Sequence, residues 1–396
     1  MFVIPAMISN QYRLILFTAA CFNCLLCSLS TAVIPAMGAT VEQELNITHA
    51  SFGVAMGVFL AGVIVGYLPF LALSGQVWIG RIIKSGIALL AIANLVSVIP
   101  SFGAVLCGRF AVGVAWSCAA MAATLITVQY FERNQQNLFC IIHATFLAGL
   151  GIGMYLTPPA SVLFGRWQTF SLVLAGVSGA LLMASAVRPV TWVVEKRPSL
   201  VASFLHCMMQ KRVVLIIVLL SVYCLVETAI SYFCAVYAQM EKGLSLAQSA
   251  RIVSLFLFGI VASRMIFVFW VRWQPEVSGI AGFVAAGCAF LFAGLLLRGF
   301  LVPAGAMFLA GLFFGPVYPL GIAYAVGATV KDKGLVVSAG NVIINLACLF
   351  GMLAMGWIGD WLSLRAGFLM FCALLTASAV LIGLAGRRQK QPVPEA

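Results

Sequence analysis

The chain has 396 residues, 63% of them hydrophobic and only 8% Asp, Glu, Lys or Arg, with a net charge of +12. A soluble domain is about a quarter charged, so this composition excludes a chain whose surface faces mainly water. The positive charges are scattered and form no patch, which excludes a nucleic-acid-binding face.

Crossing the hydrocarbon core takes roughly 20 apolar residues per helix. Apolar runs predict twelve spans, at 13–37, 52–74, 82–100, 103–130, 137–164, 168–187, 212–238, 251–271, 277–297, 300–327, 335–359 and 366–386. The first run, ending near Ala36-Met37-Gly38-Ala39, has the outline of a secretion signal, but it is too long for a signal core and reads as an uncleaved first span. The expected protein is therefore an all-α, multi-pass membrane protein. Its domains are a six-helix bundle over 1–187, a polar cytoplasmic loop at 188–211, a second six-helix bundle over 212–386, and a disordered cytoplasmic tail at 387–396.

Basic residues in short loops orient such a chain. With the N-terminus inside, fifteen of the 22 Lys and Arg residues fall in cytoplasmic segments, Arg13, Arg81, Lys84, Lys211 and Arg212 among them. Five fall outside (Arg166, Lys242, Arg251, Arg298 and Arg365), and Arg109 and Arg264 lie within spans. Both termini are predicted to be cytoplasmic. The twelve cysteines sit almost entirely in apolar stretches, Cys21, Cys24 and Cys27 included, with neither a disulfide framework nor paired metal spacing. Helix packing is their expected role.

An internal repeat organises the spans. Shifted by 198 residues, 150–170 lies over 348–368, placing Gly153 on Gly351, Met154 on Met352 and Phe170 on Phe368. At 197, 59–67 lies over 256–264; at 199, 45–48 lies over 244–247. Three matches in order at nearly constant offset predict a duplicated six-helix unit. Six is even, so the halves are related by an axis along the membrane normal.

Twelve spans in two pseudo-symmetric six-helix halves joined by a charged loop resemble the major facilitator superfamily. Arg109-Phe110-Ala111-Val112-Gly113 in the fourth span looks like that family's Arg-x-x-x-Gly signature. Gly165-Arg166-Trp167-Gln168-Thr169-Phe170 resembles its Trp-Arg-x-x-Phe element with Trp and Arg exchanged. The loop from Gly75 to Lys84 stands where the family's Gly-, Asp- and Arg-containing motif belongs, without the Asp. Phe314-Gly315-Pro316-Val317-Tyr318-Pro319 is faintly similar to sugar-type members. Gly149, Gly151, Gly153 and Pro158-Pro159 partly resemble the antiporter motif but lack the glycines expected after the proline. The resemblance implies alternating access, with span seven lining a central cavity.

An ionisable group inside the bilayer costs roughly 2.5–3.5 kcal/mol on insertion scales, so it needs a reason to be there. Glu227 lies mid-span in span seven, with Tyr223 and Ser231 four residues to either side on the same helical face. It is a candidate to bind a proton or a cationic solute group; the alternative is a structural carboxylate paired with Arg264. Arg264 could hold Glu227, bind an anionic solute, or snorkel. Arg109 is a candidate for proton handling or gating. His143, the only intramembrane histidine, is of a residue type whose ordinary near-neutral pKa suits proton exchange, and it falls over Asn341 in the repeat. Asn23, Asn341 and Asn345 are either ligands or interhelical glue. Trp116, Tyr318 and Tyr324 are aromatics at cavity depth.

No phosphate-cradling signature occurs, so transport would run on gradients or as facilitated diffusion, with no cofactor or metal centre. The expected function is secondary active transport of a small organic solute, proton-coupled, by a non-enzymatic monomer in a bacterial inner membrane. Its expected partners are that solute, protons or another coupling ion, and the lipid bilayer, with no nucleic acid. A drug or metabolite efflux antiporter stays open as an alternative. So do a non-transporting sensor and a lipid-modifying membrane enzyme, although the latter would want clustered catalytic residues and His49, His143 and His206 lie in separate segments.

Overall fold

The computed structural model describes residues 10–72, 75–131, 135–184, 191–194, 210–270, 277–327 and 333–388. Helix dominates them. In chain order the elements are α1 (Asn10–Ala36), α2 (Gly38–Leu45), α3 (His49–Ala72), β1 (Gly75–Trp78), α4 (Ile79–Val96), α5 (Phe102–Tyr130), α6 (Gln135–Phe164), α7 (Gln168–Ala184) and β2 (Thr191–Val194). They continue as α8 (Lys211–Met240), α9 (Leu246–Trp270), α10 (Val277–Leu296), α11 (Leu301–Phe314), α12 (Val317–Gly327), α13 (Lys333–Trp361) and α14 (Leu364–Arg388).

By length and composition, eleven helical segments among the described residues can cross a membrane, α11 and α12 counting together as Leu301–Ala325. The sixth expected span, at Gln168–Met183, is apolar but shorter. In lipid every backbone polar group must be satisfied within the segment, which is why such runs become helices. The first span, read as uncleaved, is α1 and packs within the bundle, chiefly on α6 and α5.

Three features depart from the expected helix-and-loop pattern. The segment after the first span is not loop but the short helix α2, which buries Ala39, Val41 and Glu42 and ends at Asn46 in the left-handed conformation (φ 49°). Residues 191–194, expected within the polar central loop, form β2, which pairs antiparallel with β1 from Gly75↔Val194 to Trp78↔Thr191. Both short runs are rich in β-branched and aromatic residues, which favour a ladder. The rest of that loop, and the tail beyond Arg388, lie outside the described residues. The tenth span is broken between α11 and α12.

Helix starts recur at nearly constant spacing. Those at 10, 49, 79, 102, 135 and 168 are followed by starts at 211, 246, 277, 301, 333 and 364, offsets of 196–201 residues. Packing recurs with them: α1 on α6, α3 on α5, and α4 on both α5 and α7, then α8 on α13, α9 on α11, and α10 on both α11 and α14. Gly62 and Gly113 let α3 and α5 touch backbone to backbone, where a Cβ would collide with the Phe110 and Phe59 carbonyls. Gly259 and Gly311 do the same for α9 and α11 against the Phe308 and Phe256 carbonyls. The two sets of helices meet chiefly where α3 packs on α13 and α6 on α9.

Candidate functional site

A cavity of about 140 Å³ lies where these helices meet. At about 30 Å³ per water of liquid volume it has room for about five waters, a space on the scale of a small solute. Its lining follows the sequence repeat. His143 and Asn341, Phe146 and Ile344, Leu147 and Asn345, and Leu150 and Cys348 all line it, each pair 198 residues apart. Tyr67 and Arg264, 197 apart, line it too.

The two walls differ in chemistry. Phe59, Leu60, Val63, Phe146, Leu147 and Leu150 make the first-half wall largely apolar, with Tyr67, Trp116 and His143 the groups on it that carry hydrogen-bonding atoms. Trp116 stands edge-on to Tyr67 (6.0 Å between centroids) and Phe146 (5.2 Å). Its buried Nε1 has no hydrogen-bond partner. The second-half wall holds Glu227, Thr228, Ser231, Arg264, Asn341 and Asn345.

Local chain chemistry explains how Arg264 is held. A helical carbonyl normally accepts from the N–H four residues on, but Pro319 has no N–H to give Gly315. Arg264 Nε supplies the missing donor (3.2 Å), and its Nη1 reaches the His143 carbonyl across the cavity (3.4 Å). Nη2 is left facing Glu227 Oε2 at 4.0 Å, an ion pair too long for a hydrogen bond. The Arg264 side chain is 3% exposed and that of Glu227 16%, so the carboxylate is the more accessible partner. Nearby, Tyr318 Oη donates to Asn341 Oδ1 (2.6 Å), Asn345 Nδ2 donates to the Asn341 carbonyl (2.8 Å), and the rings of His143 and Tyr318 meet edge-on at 5.1 Å.

Of the residues singled out in the sequence, Glu227, Arg264, His143, Trp116, Ser231, Tyr318, Asn341 and Asn345 come together on this cavity. Four do not line it. Tyr223 is buried behind it, its hydroxyl donating to the Phe314 carbonyl at 3.0 Å. Arg109 is buried among α1, α3 and α8, donating to the Thr31 carbonyl (2.8 Å) and Met56 Sδ (3.3 Å) with its guanidinium over the Phe59 and Tyr232 rings (4.8 and 5.3 Å). Phe59 and Tyr232 do line the cavity, so Arg109 braces the wall from behind. Asn23 faces α4 and α5, near Gly86, and Tyr324 lies on α12 away from the cavity. Tyr67 was missed by the reading of single residues, although the repeat already set it opposite Arg264. Among the described residues no cluster of three metal-ligating side chains occurs.

Side chains bridge the end of the bundle that bears α2. Asp360, at the end of α13, accepts the backbone N–H groups of His49 (2.9 Å, Oδ1) and Ala50 (3.0 Å, Oδ2) at the start of α3. His49 Nδ1 lies 2.8 Å from Glu42 Oε1. Trp167, from the Gly-Arg-Trp element, donates through Nε1 to Glu44 Oε2 at 2.7 Å and pins the start of α7 to α2.

A cavity lined by paired charges between two sets of membrane helices defines a solute-transporter architecture, and the comparisons agree. The chain belongs to the Major Facilitator Superfamily, whose family model matches residues 16–326; it is a multi-pass membrane protein of a transporter family. Among solved structures it is similar to a bacterial homologue of the human lysosomal transporter Spinster in an inward-facing, occupied conformation. That similarity has a TM-score of 0.71 at 13% identity, covering 98% of this chain and 100% of that one. It is also similar to the E. coli fucose:proton symporter FucP, at TM-score 0.63 and 16% identity over 96% of this chain and 100% of that one. At these identities the likeness concerns the fold. Comparison with curated protein sequences gave no match.

Proposed function

We propose that this protein is a proton-coupled secondary carrier of a small organic solute. The chain crosses the membrane twelve times as two six-helix bundles, 1–187 and 212–386, joined by a cytoplasmic loop at 188–211, with the tail at 387–396 also inside. The short sixth span and the recurring helix starts support the count; the loop charges support the orientation and a location in a bacterial inner membrane. The carrier acts as a monomer.

The observation that carries this reading is the Glu227–Arg264 pair, held at 4.0 Å on the cavity wall. A carboxylate on the cavity wall beside an incompletely engaged guanidinium can exchange that partner for another as the bundles move. Protonation removes a charge that is costly to carry through an apolar passage. With the α2 end bridged by Asp360 and the α3–α13 contact, rocking of one bundle against the other would expose the site alternately to each side. A proton moving down a potential of 100 mV supplies about 2.3 kcal/mol. The likeness to a fucose:proton symporter fits this coupling.

The test is transport in proteoliposomes, using a solute found by its thermal stabilisation of the purified protein. Glu227→Gln is expected to abolish proton-driven accumulation while leaving solute exchange measurable. Normal accumulation by that variant removes Glu227 from the coupling role.

A further inference from the structure

We infer that the solute is a small organic carboxylate with an apolar body, its carboxylate seating on Arg264 in place of the Glu227 side chain. This rests on the carrier reading above and names its substrate class.

Arg264 and Trp116, both residues of the cavity wall, each carry a donor without an acceptor at hydrogen-bond distance. Arg264 spends Nε on the Gly315 carbonyl and Nη1 on the His143 carbonyl, and Nη2 stops 4.0 Å short of Glu227. Trp116 Nε1 is buried without a partner on the opposite wall, and an indole N–H can only donate. A solute that satisfies both must bring acceptor oxygens, one set of them charged enough to compete for a guanidinium. A carboxylate does this through two oxygens in the geometry a guanidinium prefers. A cationic amine would meet the Arg264 charge, and a sugar has no charge with which to displace Glu227. The apolar first-half wall of Phe146, Leu147 and Leu150 fits a hydrocarbon body.

The exchange is electrostatically balanced. With Glu227 ionised, Arg264 has its counter-ion within the protein; once Glu227 takes a proton from the aqueous phase, the solute carboxylate becomes that counter-ion and the site is again neutral. The titratable or charged groups around Glu227 are Arg264 on α9, His143 on α6, Tyr67 on α3, Tyr318 on α12, Cys348 on α13, and Tyr223, Cys224 and Tyr232 on α8. Arg264 is the one among them that carries a fixed charge.

The experiment measures melting-point shifts and binding of the purified full chain with phenylacetate, phenethyl alcohol, phenethylamine, butyrate and glucose. Phenylacetate should bind at least about tenfold tighter than its alcohol and amine analogues, as expected for a charge-assisted bidentate contact. Glu227→Gln, which mimics the protonated acid, should tighten carboxylate binding, and Arg264→Gln should abolish it. If Arg264→Gln does not fold, Trp116→Phe decides: it keeps the ring, removes one N–H, and should weaken carboxylate binding several-fold. Binding of the amine, the alcohol or glucose as tightly as phenylacetate overturns the assignment. So does the absence of any carboxylate-induced shift, or an unchanged affinity in Trp116→Phe. Counterflow in proteoliposomes separates the two readings. Exchange of glucose or the amine would keep the carrier and sink the carboxylate; a carboxylate that binds but is never exchanged would sink the carrier and keep the site.

Discussion

Pro319 shows how one residue without an N–H can position a charge on another helix. Because it leaves the Gly315 carbonyl without its helical donor, Arg264 has a fixed acceptor to lean on (3.2 Å). Pro319→Ala restores the N–H, and the repaired helix competes for that carbonyl. The variant should bind solute several-fold more weakly while its melting temperature holds, since Pro319 lies in the first turn of α12 where proline is tolerated; unchanged affinity would show that Arg264 does not depend on this anchor. Arg109 makes the opposite case. It lies inside the bundle with its Nε unpartnered and its guanidinium over two cavity-wall rings, so Arg109→Ala should impair transport through loss of wall geometry without preventing membrane insertion. Full activity in that variant would mean that the signature arginine is dispensable here. Glu227, Arg264, His143 and the asparagines were legible as candidates because polar groups stand out against an apolar run. Their facing was not, since nothing local separates them from Asn23, Tyr223 and Tyr324, which lie off the cavity.

At the scale of elements, the cap that Asp360 places on α3 ties the two halves together at one end. A carboxylate on the first N–H groups of a helix satisfies donors the helix itself cannot, and it meets the positive end of the helix dipole. Side-chain caps of this kind are worth about 1 kcal/mol. Asp360→Ala should speed amide exchange at His49 and Ala50 by several-fold, read by hydrogen exchange over 46–56, with little change in the middle of α8. No acceleration would mean that the cap does not hold this end together. Nothing in the run of residues around Asp360 announced this cap, because its partners are backbone groups 310 and 311 positions away.

For the whole molecule, the contact that any rocking must break and remake is the crossing of α3 and α13. Gly53 sits on the Met352 carbonyl, where a Cβ would come within 2.6 Å, and Gly356 sits on the His49 carbonyl. Gly53→Val should hold this end apart, leaving a folded membrane protein whose transport is lost and whose His49 and Ala50 amides exchange fast; retained transport would show that the crossing need not close so tightly. The cavity has the same two-part origin. Positions 198 residues apart line its opposing sides, yet Leu147 faces Asn345 in the repeat and Leu150 faces Cys348. Duplication made a symmetric cradle, and divergence made one wall polar and the other apolar.

Sequence alone determined that the chain lives in a bilayer, where its spans begin and end to within a few residues, and that the spans come in two related sets. These follow from local properties, since apolar length and repeat offset are read one segment at a time. Tertiary structure alone decided which side chains meet. A helix apolar on all sides carries no periodic signal of the face that turns inward. The choice among lipid, neighbour and cavity is therefore made by packing between segments some two hundred residues apart. Arg264 beside Glu227, Arg109 behind the wall, Asp360 on the start of α3, and the break in the tenth span as an anchor all belong to that second kind.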